Sequence, residues 1–559
     1  MRGGLIWPGH FHECHDVYAP MDKDGHGNFY GKYCATTWNL NIGGKYKELP
    51  LSVGLCVPES CSEKGIQTAL INITHILERF PVLKEHKDLL NLTDVSCKLR
   101  TKTLDTRSII FITFVSGFIL LVVVGSGVTI VDHWKKKLRH PSQSRQINIS
   151  TADEASDINR RNSLSPSINK NTEVKYSAET VFKNEVTLDK SPLTENMEAE
   201  QEIFKSIPKK QDSVWKRVLL CFSALTNGQK ILNTDVTEGQ LLTVHGVRFL
   251  SLTWVILGHT YIMSIHIIGN RIDVLKQMDS FPFQMLLQSP FSVDSFFLLS
   301  GFLLSYLFLK EVAKKNGKIN WIYFYCHRLW RLTPAYMVVV FFYMFVFKYL
   351  GSGPFWDDRY CEAQSGTWWK YLLYINNFIP IHQMCVGWSW YLANDMQFYV
   401  ISPLLLYPLW RWPIIGFSLL GAVLILTWTI TGVLSFTYDL IPMFVGVTEA
   451  EDFTAYQDKM WYSFDLIYDK PYCRIAPYII GIALGYMLYR SNQRKNFLIW
   501  WQQLIGWSVA AFCALSVVFG LYHVEMNKTT SLFYNTFCRS SFSIGLAWLI
   551  FACETGHGG

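Results

Sequence analysis

The stretch SIIFITFVSGFILLVVVGSGVTIV, residues 108–131, carries no ionisable side chain. At about 1.5 Å of rise per residue a helix of that length crosses a hydrocarbon core of about 30 Å. HWKKKLRH follows at residues 133–140. The positive-inside bias therefore places residues 134–139 in the cytosol and the preceding segment outside. Composition agrees with a membrane chain. Half of the 559 residues are apolar, 15% are aromatic and 17% are charged, against roughly 25% charged in an average soluble protein. Twenty Trp, 28 Tyr and 37 Phe suit the aromatic belts of membrane interfaces. These figures argue against a purely soluble enzyme, a disordered chain and a disulfide mini-protein. The net charge of +7 flanks apolar runs, so it does not point to nucleic acid.

Upstream, residues 1–104 are soluble in character. They hold Cys14, Cys34, Cys56, Cys61 and Cys97, with sequons at Asn72 and Asn91. Clustered cysteines beside sequons read as an oxidising, non-cytosolic compartment and a glycoprotein. Five is an odd number and no apolar leader follows Met1, so the chain is expected to begin inside a longer ectodomain. Apolar spacing over 63–99 predicts a small, helical, stapled domain.

Downstream, residues 140–213 are rich in Ser, Asn, Lys and Glu and read as a disordered cytosolic linker. Eight further spans are predicted near 245–266, 284–309, 332–350, 390–409, 413–434, 472–489, 498–522 and 533–552. Alternating them puts Lys310, Lys314, Lys315, Lys318, Arg490, Arg494 and Lys495 inside. The acid-rich loop 435–471 and the sequon at Asn527 then fall outside. Cys361 and Cys385 share one outer loop, where a disulfide is plausible. The chain stops just after a span, at Gly559, which reads as a truncation.

Ionisable side chains inside spans are costly and default to functional hypotheses. His259 stands in LTWVILGHTYIMSIH, about 16 Å deeper than Arg248. That spacing puts Arg248 at the cytosolic end and His259 near mid-bilayer. His259 reads either as a base or as a core histidine bonded to a neighbouring helix; Arg248 reads as a phosphate ligand or a snorkelling anchor. Arg328 and Arg331, in YCHRLWRLTP, share one helix face. They are placed at the cytosolic surface, with Pro334 in the first turn of the next helix. Two guanidiniums there can grip phosphates or simply anchor the helix. Asp294 and Asp395 each lie about 24 Å from a cytosolic end. Both acids and His259 are thus expected to converge in the outer half, one acid orienting the imidazole; the alternative is that each acid marks a helix end. The pattern describes a path across the membrane, with cations at one mouth, a base midway and acids beyond. No GxGxxG or P-loop in the right context, HExxH or CxxC pair is present, and no metal site is expected; His10, His12 and Cys14 only mimic one.

At these residues the sequence resembles the acyltransferase-3 family of integral membrane acyltransferases, and more closely its nose-resistant-to-fluoxetine-like subgroup. The match rests on Arg248 with His259, on Arg328 with Arg331, on Phe296, Phe297, Ser300 and Gly301, and on Trp390, Leu392, Asp395 and Gln397. Asp395 stands where many bacterial members carry Glu. The resemblance implies an enzyme that moves an acyl group from acyl-CoA to a hydroxyl of a carbohydrate, lipid or other acceptor. His259, Asp294 and Asp395 would form the catalytic set, and Arg248, Arg328 and Arg331 would hold the CoA phosphates. Acyl-CoA is then a donor substrate rather than a resident cofactor. Membrane lipids, acyl-CoA and a hydroxyl-bearing acceptor are the expected partners, with no nucleic acid. A lipid or small-molecule transporter using the same cavity without chemistry is the rival reading. A lipid-binding ectodomain on a membrane anchor is a third.

The expected fold is all-α, a polytopic transmembrane helix bundle with a small disulfide-containing extracytosolic N-terminal domain. Its parts are a cysteine-rich domain at 1–104, a first transmembrane helix at 108–131, a linker at 140–213 and an acyltransferase-3-like bundle at 240–559, C-terminally incomplete. The expected location is the endoplasmic reticulum or plasma membrane, with the N-terminal domain lumenal or extracellular.

Overall fold

The computed structural model describes residues 5–23, 27–40, 49–77, 90–98, 100, 102–139, 213–236, 239–264, 267–357, 360–361, 365–444, 453–494 and 498–558. The chain divides into two units, residues 112–237 and the remainder. Except for Ser213, the predicted linker at 140–213 lies outside the described residues.

The N-terminal domain corrects one expectation. It contains helix α1 (Phe11–Asp16) and α2 (Glu63–Leu77), but its centre is a sheet. The strands are β1 (Ile6–Trp7), β2 (Tyr18–Ala19), β3 (Phe29–Leu40), β4 (Leu49–Pro58) and β5 (Leu90–Cys97). They run in the order β1-β4-β3-β2, with β5 also on β3. The period-3.6 pattern over 63–99 holds only for α2. In β5, Val95 and Cys97 are buried two residues apart, which is strand periodicity. β3 is rich in aromatic and β-branched residues, YCATTW at 33–38, which suit a pleated, half-buried surface. Cys34 faces Cys97 across the β3–β5 pair and is bonded to it, while Cys14 is bonded to Cys56. Cys61 is the odd thiol.

Helix α3 (Thr106–Arg139) covers the first apolar run. In the 112–237 unit it meets α4 (Val214–Cys221) and α5 (Ala224–Leu232). There Thr129 Oγ1 donates to Ser223 Oγ at 2.8 Å, and Lys216 pairs with Asp132 at 2.7 Å.

The larger unit continues with α6 (Leu242–Ser264), α7 (Arg271–Met278), α8 (Phe281–Leu287), α9 (Phe291–Lys314), α10 (Trp321–Phe345) and α11 (Trp368–Leu372). After these come α12 (Trp390–Arg411), α13 (Pro413–Thr437), α14 (Phe453–Ser463), α15 (Pro471–Arg494), α16 (Trp500–Phe519) and α17 (Lys528–Glu554). Among the described residues, five helices, at 106–136, 291–314, 413–437, 500–519 and 528–554, are long and apolar enough to cross a membrane. α6, α10, α12 and α15 match them in length but hold the ionisable residues Arg248, His259, Arg328, Arg331, Asp395 and Arg474. Several apolar helices of this kind fit a multi-pass membrane protein. Cys361 and Cys385 form the loop disulfide.

α9 and α15 approach backbone to backbone. A Cβ at Gly301 would lie 2.2 Å from the Tyr478 carbonyl oxygen. At Gly481 it would lie 2.1 Å from the Leu298 oxygen, and at Gly485 2.6 Å from the Phe302 oxygen. Residues 481–485 are GIALG, the small-xxx-small pattern that lets membrane helices close on one another. Gly301 therefore serves packing.

Candidate functional site

α10 starts earlier than the apolar run suggested. Asn320 caps it, accepting a bond from the Tyr323 N–H at 3.0 Å, and Pro334 lies inside the helix rather than in its first turn. Arg328 is thereby carried into the bundle, about 10 Å along the helix from Trp321. It forms an ion pair with Asp395 of α12, whose other oxygen accepts from Ser300 Oγ of α9 at 2.6 Å. The predicted separation of cationic mouth from distant acid therefore does not hold for this pair: Arg328 and Asp395 share one level. The Arg328 guanidinium also lies 4.4 Å from the Tyr399 ring centroid, a cation–π contact. Its Nε is buried without a partner among the described residues. Arg248 joins the group at longer range, since Tyr391 lies within Coulombic reach of Arg248, Arg328 and Asp395. Arg331 is exposed, on α10. Gln397 ties α12 to the loop that precedes it, donating to the Tyr374 carbonyl at 2.7 Å and to Asn377 at 2.9 Å.

His259 stands apart from both acids. It lies on the exposed face of α6, and among the described residues no acid is within ion-pair distance of it. Its neighbour Gly258 packs tightly, a Cβ there falling 2.1 Å from Ser289 Oγ, so this level of α6 abuts the start of α9. The ring makes one informative contact: Nδ1 lies 2.9 Å from the Val255 carbonyl oxygen. A carbonyl can only accept, so Nδ1 carries the hydrogen and, in the neutral ring, Nε2 keeps its lone pair. The role expected of a carboxylate, fixing the tautomer, falls here to the backbone of the preceding turn.

Asp294, in the first turn of α9, is held elsewhere. Both of its oxygens accept from Arg474 Nη1 of α15, each at 2.8 Å, and both side chains are 1% exposed. Arg474 Nε donates to the Tyr468 carbonyl at 2.6 Å, and the guanidinium lies 4.0 Å from the Tyr468 ring. A second buried arginine, Arg539 of α17, donates to the Cys473 carbonyl at 3.2 Å. Sequence reasoning passed over Arg474 and Arg539. Each stands inside an apolar span, and an intramembrane arginine is itself a signal of function.

A family model for an acyltransferase domain matches residues 242–558. A second, for the N-terminal domain of the nose resistant-to-fluoxetine protein, matches residues 1–70. Nose resistant to fluoxetine protein 6 of Caenorhabditis elegans is 34% identical over 373 residues, which cover 61% of this chain and 44% of that protein. Regulator of hypoxia-inducible factor 1, from the same organism, is 27% identical over 305 residues, covering 49% of this chain and 56% of that protein. The chain thus spans about half the length of these curated relatives. No solved structure matches it.

Proposed function

Because the chain belongs to the acyltransferase-3 family of membrane acyltransferases, we propose that it transfers an acyl group from acyl-CoA to a hydroxyl of a carbohydrate, lipid or other acceptor, with His259 as general base. The observation that carries this reading is the His259 Nδ1 contact with the Val255 carbonyl, which leaves Nε2 basic on an exposed face. In the proposed step the acceptor oxygen attacks the thioester carbonyl carbon while Nε2 takes the hydroxyl proton. Collapse of the tetrahedral adduct breaks the C–S bond, and the imidazolium returns its proton to the departing thiolate. An ester and free CoA result.

Arg248 and Arg331 are the exposed cations suited to the CoA phosphates, because a guanidinium can bind them bidentately. Arg328 offers its unpartnered Nε, and Asp395 acts as its positioning residue. The N-terminal domain is assigned to the lumenal or extracellular side, on the strength of its disulfides and the basic cluster at the C-terminal end of α3.

The test is turnover of labelled acyl-CoA by the purified chain in lipid nanodiscs, with His259→Ala as comparison. Loss of a general base should slow transfer by about 10²–10⁴-fold while CoA binding persists. Unchanged turnover in that variant would refute the assignment. Acyl-CoA-independent uptake of lipid by vesicles bearing His259→Ala would favour the transport reading instead.

A further inference from the structure

A cavity of ≈ 40 Å³ is lined among others by Gln288, Asp294, Arg474, Tyr534 and Arg539, and not by His259. We propose that it is a binding site for a carboxylate anion. The charge balance is the first reason. Two guanidiniums line the cavity and one carboxylate answers them, since Asp294 is committed to Arg474. Arg539 is 8% exposed and has no acid partner among the described residues. A buried cation without a counter-ion is strongly disfavoured, so the site is one negative charge short.

The donors supply the second reason. Among the described residues Arg539 makes a single side-chain bond, to the Cys473 carbonyl, and its fork has further N–H groups to give. Gln288 is 4% exposed; its Oε1 lies 3.2 Å from the Tyr534 hydroxyl, which also donates to the Val517 carbonyl at 2.8 Å, and its Nε2 is buried with no partner among the described residues. An unpaired buried donor in a polar cavity marks a place for an acceptor.

Size and valence select the ligand. One water needs about 10–15 Å³, so this cavity takes a group of about three heavy atoms. A carboxylate fits that room, neutralises one charge and meets a planar guanidinium edge-on. A phosphate dianion would overcharge the site. The carboxylate can belong to a small free acid or to a lipid. The inference is independent of the acyl-transfer reading, because the cavity shares neither His259 nor the arginines placed at the CoA phosphates.

The experiment is ligand-induced thermal stabilisation of the full chain in a non-ionic detergent. Sodium acetate and sodium laurate are titrated separately against sodium chloride at equal ionic strength. A saturable rise in midpoint with either carboxylate is expected. Saturation by acetate assigns a small free acid, and saturation by laurate alone assigns a lipid carboxyl group. Arg539→Gln and Gln288→Leu should each raise the half-saturating concentration at least tenfold, and His259→Ala should leave it unchanged. If Arg539→Gln does not fold, Gln288→Leu decides. No saturable shift with either carboxylate, an equal shift with chloride, or titrations unaltered in Gln288→Leu would overturn the proposal.

Discussion

Replacing Asp294 by Ala should be among the most damaging single changes in the bundle. The substitution removes the acceptor of both Asp294–Arg474 bonds and leaves Arg474, 1% exposed, with the Tyr468 carbonyl and two aromatic faces as its remaining partners. Breaking a buried pair by deleting one partner costs about 3–5 kcal/mol. Both bonds share one donor atom, Nη1, and Nε keeps its bond, so the lower half of that range is expected. Asp294→Asn retains one acceptor and should lose less. The double variant Asp294→Leu/Arg474→Met removes both charges and should recover most of the loss, because neither ion then has to be desolvated. The assay is equilibrium unfolding in mixed micelles followed by tryptophan fluorescence, with the single variants Asp294→Leu and Arg474→Met, the wild-type chain and the double variant closing a double-mutant cycle. A loss under about 1 kcal/mol for Asp294→Ala, or additive single effects, would refute the claim that this pair joins α9 to α15.

Two further outcomes follow from packing and burial. Gly481→Ala puts a methyl 2.1 Å from a backbone oxygen, so it should destabilise the bundle by about 1–3 kcal/mol, read in the same unfolding assay; an unchanged midpoint would contradict the close approach. Asp469, in the turn before α15, has its carboxyl pushed up to about 7, by burial first and against the pull of Lys470, and its Oδ2 is buried without a partner among the described residues. A folded pKa above the unfolded one gives stability that is complete below about pH 4 and lost as pH rises through about 7. Asp469→Asn should flatten the stability profile across that window, and a profile unchanged by the substitution would count against it.

Much of the bundle could be read from the sequence because apolar runs of membrane length have few alternative fates. Helices form at all nine predicted runs, and among the described residues five of them, α3, α9, α13, α16 and α17, are long and apolar enough to follow that rule. Polarity hid the boundaries. α10 begins at Trp321, eleven residues before the apolar run, because its first turns hold polar and charged residues, among them Arg328, which pairs with Asp395 inside the bundle. The N-terminal sheet was missed because α2 dominates the periodicity of 63–99 while β5 adds only eight residues to it. At the site, spacing along one helix fixed the order of the charged residues but not their partners. Asp395 meets Arg328 and Asp294 meets Arg474, contacts between distant segments that no single-helix count encodes. The tautomer of His259 was equally out of reach, since a backbone carbonyl sets it.

The central claim is that His259 Nε2 meets the acceptor hydroxyl. An experimental structure of the chain in a lipid nanodisc, with a non-hydrolysable acyl-CoA analogue and an alcohol acceptor, measures that directly. The account predicts the acceptor oxygen within about 2.6–3.2 Å of Nε2, the Nδ1–Val255 contact intact and CoA phosphates on Arg248 and Arg331. An imidazole surrounded by lipid tails, with the thioester bound at another place in the bundle, would contradict it.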